Sequence, residues 1–183
     1  MSVLLVGHLK VSASGHLRPD CAKCRDGQHA IRNQVEEVQW LTWKKHSISS
    51  ELAQKMVDKA VAKARELGVS ENVAILDDGG NLKAFGRMDG APIPTTEMAQ
   101  NKAYTALFGV STQEFFKFIQ SDPSLLAGIP TLARMAAWGG GFPIKVNGEV
   151  VGAIGLSGAP TVQNDIDCAK AALALVSDAV PTK

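Results

Sequence analysis

The sequence predicts an α+β domain in which helices flank an antiparallel β-sheet. Two pairs of strand-like segments are each joined by a turn, and four helical segments lie around them. No part of the chain alternates strand, helix and strand as a parallel sheet requires. With 183 residues, 45% of them apolar and 20% charged, the chain is long enough for one ordinary domain with a core and a surplus segment.

The first of these helices is predicted over residues 49–68. Apolar side chains recur at spacings of three and four from Leu52 to Leu67, with polar side chains elsewhere on the helical wheel. Ser49 suits the N-cap because its hydroxyl can accept an unpaired backbone N–H, and Gly68 suits the left-handed residue that ends a helix.

Three more helices are predicted over residues 95–108, 112–120 and 162–180. Ser111 is the expected cap of the middle one. The dipeptide Asp122-Pro123 is expected to end it, because the residue before a proline avoids the helical conformation.

Two hairpins supply the strands. Residues 73–76 and 82–87 flank the run Asp77-Asp78-Gly79-Gly80-Asn81, whose members favour turns. Residues 142–146 and 149–156 flank Asn147-Gly148, the strongest short signal for a hairpin with a type I′ turn. The economical arrangement of these elements is a profilin-like antiparallel sheet flanked by helices.

Residues 1–45 are predicted to be an N-terminal extension, and residues 46–183 to be the folded domain. The extension shows no sustained helical or strand period, apart from a short helix predicted over residues 30–43 without clear caps. Its Cys21 and Cys24, with His16 and His29 nearby, could ligate zinc; the alternative is a flexible tail without metal. Arginine after the second cysteine excludes the haem-attachment motif.

Charge and composition exclude several partner classes. The formal net charge is +1 and the basic residues are scattered, so no nucleic acid partner is expected. No apolar run approaches the roughly 20 residues of a membrane-spanning helix, so no membrane partner is expected. The three cysteines are an odd number without a disulfide pattern, which favours a reducing, cytoplasmic location.

The oddest feature of the chain is the run Gly139-Gly140-Gly141 followed by Phe142-Pro143. Only glycine lets a backbone take unusual angles while it approaches a ligand or another chain closely. The run therefore predicts either a tight crossing into the following strand or a loop that lines a ligand site. It is not a nucleotide motif, because neither a Walker lysine nor the dinucleotide-binding spacing is present.

Three charged residues are the candidates for catalysis: Asp78, Arg87 and Lys102. Carboxylates beside basic groups could perform acid–base chemistry if they were buried together. The alternative is that the turn aspartate serves backbone hydrogen bonds and that Arg87 only pairs with Asp89 at the surface.

A haem iron in the folded domain could be ligated by a histidine, methionine or tyrosine side chain. The candidates are His46, Met88, Met98, Tyr104 and Met135, and none is marked by its spacing. The methionines are equally explained as core residues that fill gaps. His46 is also a candidate metal ligand.

Five segments then occur together in order: AILDDGGNL (74–82), RMDGA (87–91), NKA (101–103), GGGFPI (139–144) and VGAIGLSG (151–158). A helix bearing Gln163 and Asp165 follows them. With these motifs the chain resembles the GlcG/HbpS family of small haem- and corrinoid-associated proteins, over about 130 residues from residue 48 to the C-terminus.

The resemblance implies a profilin-like fold, assembly into dimers or larger oligomers up to octamers, and ligand binding in place of well-defined turnover. Members include the C-terminal domain of PduO-type cobalamin adenosyltransferases. The first hypothesis is an oligomeric binding protein for haem or a related tetrapyrrole, with a corrinoid less favoured, whose site includes Met88 and the loop at 139–143. The second is an enzyme, or an enzyme accessory, that acts on a small organic acid through Asp78, Arg87 or Lys102 near the same loop.

Alanine-rich helix faces are the predicted contacts of the homo-oligomer, because small residues let helices pack closely across symmetric interfaces. The alternative is that these side chains seat each helix on its own sheet. The residues concerned are Ala99, Ala103 and Ala106 of one helix and Ala169, Ala172 and Leu173 of the last.

Overall fold

The structure is a computed structural model that describes residues 43–179. Helices in this part of the chain are α1 (Ser50–Glu66), α2 (Thr95–Ala106), α3 (Thr112–Gln120), α4 (Pro123–Gly128) and α5 (Val162–Ala179), with a 3₁₀ turn at Ile129–Thr131. Strands are β1 (Asn72–Asp77), β2 (Leu82–Arg87), β3 (Gly141–Val146) and β4 (Glu149–Ser157). No helix between residues 43 and 179 is long and apolar enough to cross a membrane.

The four strands form one antiparallel sheet in the order β2-β1-β4-β3. Both predicted hairpins are present as neighbours, β1 with β2 and β3 with β4. They join through β1 and β4, where Val73 lies opposite Leu156 and Ile75 lies opposite Ile154. This confirms the predicted α+β class, an antiparallel sheet flanked by helices.

Helices cover both faces of the sheet. On one face, α1 and α5 pack over the alternate strand positions Val73, Ile75, Ile154 and Leu156, where the larger core lies. On the other face, α2 packs against the strand residues Leu76 and Ala153. The contact with α2 is so close that a Cβ on Gly155 would lie 2.1 Å from the carbonyl oxygen of Ala99, so only glycine fits there.

The helix ends follow the predicted chemistry with one exception. The Ser49 hydroxyl accepts from the Leu52 N–H at the start of α1, and Ser111 forms a reciprocal capping box with Glu114 at the start of α3. Gly68 has a φ of +68° after α1. The Asp122-Pro123 dipeptide does more than end a helix. Asp122 also caps a new one, α4, because proline is well suited to the first helical position.

Asn147 and Gly148 form the turn of the second hairpin as predicted. Their φ angles are +51° and +83°, so both residues are in the left-handed region that a type I′ turn needs. The predicted helix over residues 30–43 falls outside the described residues except for Trp43, which is not helical. The compact unit that the structure describes begins at Lys45. The role of the predicted extension stays a prediction.

The alanine-rich helix faces are core and not a free surface. Ala99, Ala103 and Ala106 are completely buried between α2 and the sheet, Ala169 and Ala172 of α5 are completely buried in the larger core, and Leu173 is half-buried. The prediction that these five alanines are oligomer contacts was therefore wrong. The alternative is correct: small side chains seat both helices closely on their own sheet.

Candidate functional site

A cleft with a volume of about 740 Å³ lies beside α3, α4 and the 3₁₀ turn. Its walls are mostly apolar, and the polar side chains that line it are Gln113 and Lys117. A cleft of this size and lining is typical of small-molecule and cofactor sites. The larger apolar lining residues are Phe116, Ile119, Leu126, Ile129, Pro130, Met135 and Trp138.

Two short helices turn apolar side chains toward this cleft. In α3, Phe115 and Ile119 are buried, whereas Phe116 is 39% exposed. In α4, Leu126 is 43% exposed, and Trp138 in the following loop is 44% exposed. Large apolar side chains that remain exposed together around a concavity mark a binding surface.

The segment just before the loop is held in place at three points. Arg134 has a φ of +66°, which is unfavourable for a residue with a Cβ. Its guanidinium carbon lies 3.9 Å from the ring centre of Tyr104, and its Nη2 donates to the Gly80 carbonyl at 3.1 Å. The N–H of Ala136 donates to the Thr105 hydroxyl at 2.8 Å. These contacts fix the intervening half-buried Met135 in the cleft wall.

The three glycines of the loop have different surroundings. Gly139 lines the cleft. Gly140, with a φ of +115°, and Gly141 are buried against the interior. A Cβ on Gly141 would lie 2.4 Å from the carbonyl oxygen of Lys102, and one on Gly140 would lie 2.8 Å from that of Leu156. Gly140 and Gly141 therefore form the tight crossing into β3 that was one predicted alternative. Gly139 lines a cleft, as the other alternative predicted.

A buried ion pair lies directly behind the loop. Lys102 Nζ donates to Asp165 Oδ2 at 2.5 Å and to the Leu156 carbonyl at 2.8 Å, and both side chains are almost completely buried. Lys102 belongs to α2 on one face of the sheet, and Asp165 belongs to α5 on the other. They meet at the end of the sheet where Gly140 leaves room, since its Cβ would lie 3.0 Å from Lys102 Nζ.

Glu71 completes this buried charged cluster, which we define as Glu71, Lys102 and Asp165. Glu71 is fully buried, and neither of its carboxyl oxygens nor Oδ1 of Asp165 has a hydrogen-bond partner among residues 43–179. Burial, and then the negative charge of Asp165, raise the pKa of Glu71 to about 8. Glu71 is therefore a neutral acid at pH 7, and a proton on it satisfies an otherwise unpaired oxygen.

Burial also shifts the pKa values of Lys102, within the cluster, and of Cys168, beside it. Burial lowers the pKa of Lys102, and the attraction of Asp165 opposes that shift. Burial raises the pKa of the Cys168 thiol to about 12, with the negative charges of Glu71 and Asp165 adding to the effect. The cluster therefore holds one amine and two carboxyl groups, and burial opposes the charged forms of Lys102 and Glu71. The amine is enclosed and engaged by Asp165 and the Leu156 carbonyl, so the cluster suits structure better than attack on a substrate.

The indole of Trp138 lies between the cluster and the cleft. The Nζ of Lys102 is 5.9 Å from its ring centre, within range of a cation–π contact. The same indole lines the cleft. Trp138 therefore contacts both the cleft and the amine of Lys102.

The three candidates for catalysis do not come together. Asp78 lies in the β1–β2 turn, 3.7 Å from Lys45 Nζ. Arg87 is exposed at the opposite end of that hairpin, where its groove with Met88 and Asp89 lies against α1. Lys102 is in the buried charged cluster. No acid–base grouping of these three exists in the described part of the chain.

Of the six residues predicted to bind a cofactor, Gly139 alone lines the apolar cleft. Phe142 and Pro143 border a smaller groove beside the start of α3. Met88 is half-buried and packs against the larger core on the side of α1. Gly140 and Gly141 face the buried charged cluster and the backbone of α2.

Among the candidate metal ligands, His46 is exposed and its Nδ1 lies 2.7 Å from Oε2 of Glu149. Cys21 and Cys24 lie outside the described residues. Between residues 43 and 179 there is no group of three or more His, Cys, Asp or Glu side chains that could hold a metal ion.

Reasoning from the sequence did not find the buried charged cluster, although two of its members carried a signal. Lys102 lies three residues after Ala99 and four before Ala106, and Asp165 lies three, four and seven residues before Cys168, Ala169 and Ala172, so each charge falls on a stripe of small residues. A charge inside a buried helical stripe requires a partner. Glu71 carried no such signal, because it precedes a strand without any periodic context. Trp138, Phe116 and Lys117 were also missed.

Comparison with known proteins was made on the sequence and on the fold. The family model described as "Haem degrading protein HbpS-like" matches residues 48–174. An uncharacterised 15.0 kDa protein from the dhaT–dhaS intergenic region of Citrobacter freundii is 36% identical over 134 residues, which is 72% of this chain and 94% of that protein. Protein GlcG of Escherichia coli K12 is 30% identical over 111 residues, which is 60% of this chain and 81% of GlcG.

Solved structures agree with these matches. A double mutant of HbpS from Streptomyces reticuli is 30% identical, with a TM-score of 0.68, over 75% of this chain and 92% of that one. A complex of PduOC with haem is 29% identical, with a TM-score of 0.65, over 70% of this chain and 94% of that one. The family match covers well over half of the chain and the fold agrees with it. The chain therefore belongs to the HbpS-like family.

Proposed function

We propose that this protein binds haem or a related tetrapyrrole in the apolar cleft beside α3 and α4. The observation that carries the proposal is the cleft itself, about 740 Å³ in volume and walled by apolar side chains that remain partly exposed. A relative in the same family, PduOC, has been solved in complex with haem. The role that follows is sequestration, sensing or an accessory function.

The residues present fit the chemistry of such a ligand. A tetrapyrrole is a flat apolar macrocycle that carries acidic side arms, and haem also carries an iron that takes axial ligands. Phe116 and Trp138 offer aromatic faces for the macrocycle. Lys117 offers a cation for an acidic arm, and Met135 offers a thioether sulfur for the iron.

Titration of the full chain with haemin, followed by visible spectroscopy, tests the proposal. We expect a saturable shift of the Soret band and weaker, or no, binding of cobalamin. Absence of any saturable spectral change with haemin would contradict the proposal.

A matched pair of leucine variants then tests the location. Leu126 lines the cleft and Leu132 does not, although both are exposed, at 43% and 53% respectively. We expect Leu126→Glu to weaken haemin binding by about tenfold or more, because a carboxylate in the cleft wall opposes both the apolar macrocycle and its acidic arms. Leu132→Glu should bind as the wild type does. Equal effects of the two changes would place the ligand elsewhere.

Self-association, from a dimer to an octamer, is the second part of the proposal. The buried alanine faces cannot serve as its contacts, so the interface would have to use other surfaces. Light scattering coupled to size exclusion measures the mass in solution. A mass near the 19.4 kDa of one chain at micromolar concentration would contradict self-association.

A further inference from the structure

We propose that the sulfur of Met135 is an axial ligand of the iron when the cleft holds haem, an inference that rests on the proposed function. Among the described residues that line the cleft, Met135 is the sole His, Cys, Met or Tyr side chain. Those four side chains are the ones that ligate haem iron in proteins.

The thioether of Met135 is free to coordinate a metal ion. Its Sδ lies 3.8 Å from the Thr105 hydroxyl, but that hydroxyl also lies 2.9 Å from the Asn101 carbonyl. The hydroxyl has one proton, and the carbonyl oxygen is the closer and stronger acceptor. The contact with sulfur is therefore packing, and both lone pairs of the sulfur remain available.

The backbone on either side of Met135 is fixed in a way that packing alone does not require. Arg134 adopts the left-handed conformation and is held there by Tyr104 and by the Gly80 carbonyl. Unfavourable backbone conformations that are fixed by several contacts occur mainly at binding sites and switch regions. Ala136 is bonded to Thr105 on the other side. Met135, which lines the cleft, is thus carried by a backbone that is fixed on both sides, as a metal ligand should be.

Methionine is a common gap filler in apolar walls, and its thioether also supplies a soft sulfur that leucine lacks. As a neutral, soft ligand it favours the ferrous state and raises the reduction potential of haem iron. The assignment therefore implies that this protein holds haem in a form that is easily kept reduced.

The test compares Met135→Leu with Met98→Leu in the full chain. Leucine keeps the apolar volume and removes the sulfur, so both variants are expected to fold. Met98 is 38% exposed on α2 and does not line the cleft, which makes it the matched control. The probes are haemin and iron-free protoporphyrin IX, which share one macrocycle and differ by the metal ion.

We expect Met135→Leu to weaken haemin binding by about tenfold while protoporphyrin IX binding changes by less than about twofold. The Soret band of the reduced complex should shift, and the reduction potential should fall relative to the wild type. Met98→Leu should match the wild type in every measurement. The methyl carbons of the five methionines, labelled with ¹³C, should show one resonance strongly shifted by ferrous haem, and Met135→Leu should remove it.

Three outcomes would overturn the assignment. An unchanged spectrum and affinity in Met135→Leu would show that another group ligates the iron. Equal losses with haemin and with protoporphyrin IX would show that Met135 only packs against the macrocycle. A wild-type chain that binds neither probe would refute the proposed function and the ligand assignment with it. This result is distinguishable from the other two because the wild type alone shows it.

Discussion

Replacement of Glu71 by glutamine should make the protein more stable at neutral and alkaline pH, although Glu71 is completely buried. Its carboxyl group has no hydrogen-bond partner among residues 43–179 and lies near the negative Asp165. Folding therefore forces Glu71 to keep a proton that the unfolded chain releases. Glutamine is neutral at every pH, has almost the same shape, and its amide can donate to the unpaired oxygen of Asp165.

The sign and size of the effect follow from the two pKa values. In the folded protein the pKa of Glu71 is raised from 4.5 to about 8. Because it is raised, its contribution to stability is fully present below pH 4.5 and is lost as the pH rises toward 8. Each pH unit in that interval costs about 1.4 kcal/mol, so the loss reaches about 3 kcal/mol at pH 7. The variant avoids this loss.

Urea unfolding of the full chain at pH 5 and pH 8 measures the difference. Between those two values the free energy of unfolding of Glu71→Gln should gain about 3.5 kcal/mol relative to the wild type, because the slope is below about 1.4 kcal/mol per pH unit near each pKa. The thiol of Cys168, whose pKa burial raises to about 12, is present in both proteins, so its own contribution cancels in the comparison. Glu97→Gln removes an exposed carboxylate and should show no such gain. A stability difference for Glu71→Gln that does not change with pH would refute the reasoning.

Three further predictions test the interior and the boundary of the domain. Lys102→Met should lower the free energy of unfolding, measured in urea, by about 3–5 kcal/mol, because it leaves the buried carboxylate of Asp165 without its cation. The double variant with Asp165→Leu should regain most of that loss, because it removes the unpaired carboxylate as well. Gly140→Ala should lower the free energy of unfolding by about 2 kcal/mol or more, because Gly140 has a positive φ and the new Cβ would lie 2.8 Å from a carbonyl oxygen. Gly128→Ala is the control and should change stability little, because no atom lies within 4 Å of its new Cβ. Equal melting temperatures of the two variants would contradict this prediction. Deletion of residues 1–45 should leave a cooperative thermal transition, and its loss would show that those residues belong to the fold.

The secondary structure could be predicted because its signals are local. Caps at Ser49 and Ser111, the left-handed Gly68 and the Asn147-Gly148 turn each depend on a few neighbouring residues. The sheet order was not available from such signals. The pairing of β1 with β4 joins residues about eighty positions apart, and no short-range pattern specifies which hairpin edges meet.

The candidate site was predictable only in part, for a related reason. The glycine loop stood out in the sequence, but its residues face in different directions, which depends on the packing of α2 and α5 around it. The alanine stripes were seen, but a stripe of small residues fits a helix partner and a sheet equally well. Asp78, Arg87 and Lys102 were the candidates for catalysis, yet the first hairpin places Asp78 and Arg87 at its two opposite ends.

The glycine loop at residues 139–141 separates the buried charged cluster from the apolar cleft. On its inner side, Gly140 makes room for the buried ion pair of Lys102 and Asp165, beside the carboxyl group of Glu71, whose pKa is raised by burial. On its outer side, Gly139 and Trp138 form part of an apolar wall that is open to a ligand. Any side chain larger than hydrogen at these glycines would push the two apart, because neighbouring atoms lie within 3.0 Å of the added Cβ. The same three glycines therefore form part of the cleft wall and leave room for the buried ion pair. A substitution at any of them is expected to change both the stability of the protein and its affinity for the ligand.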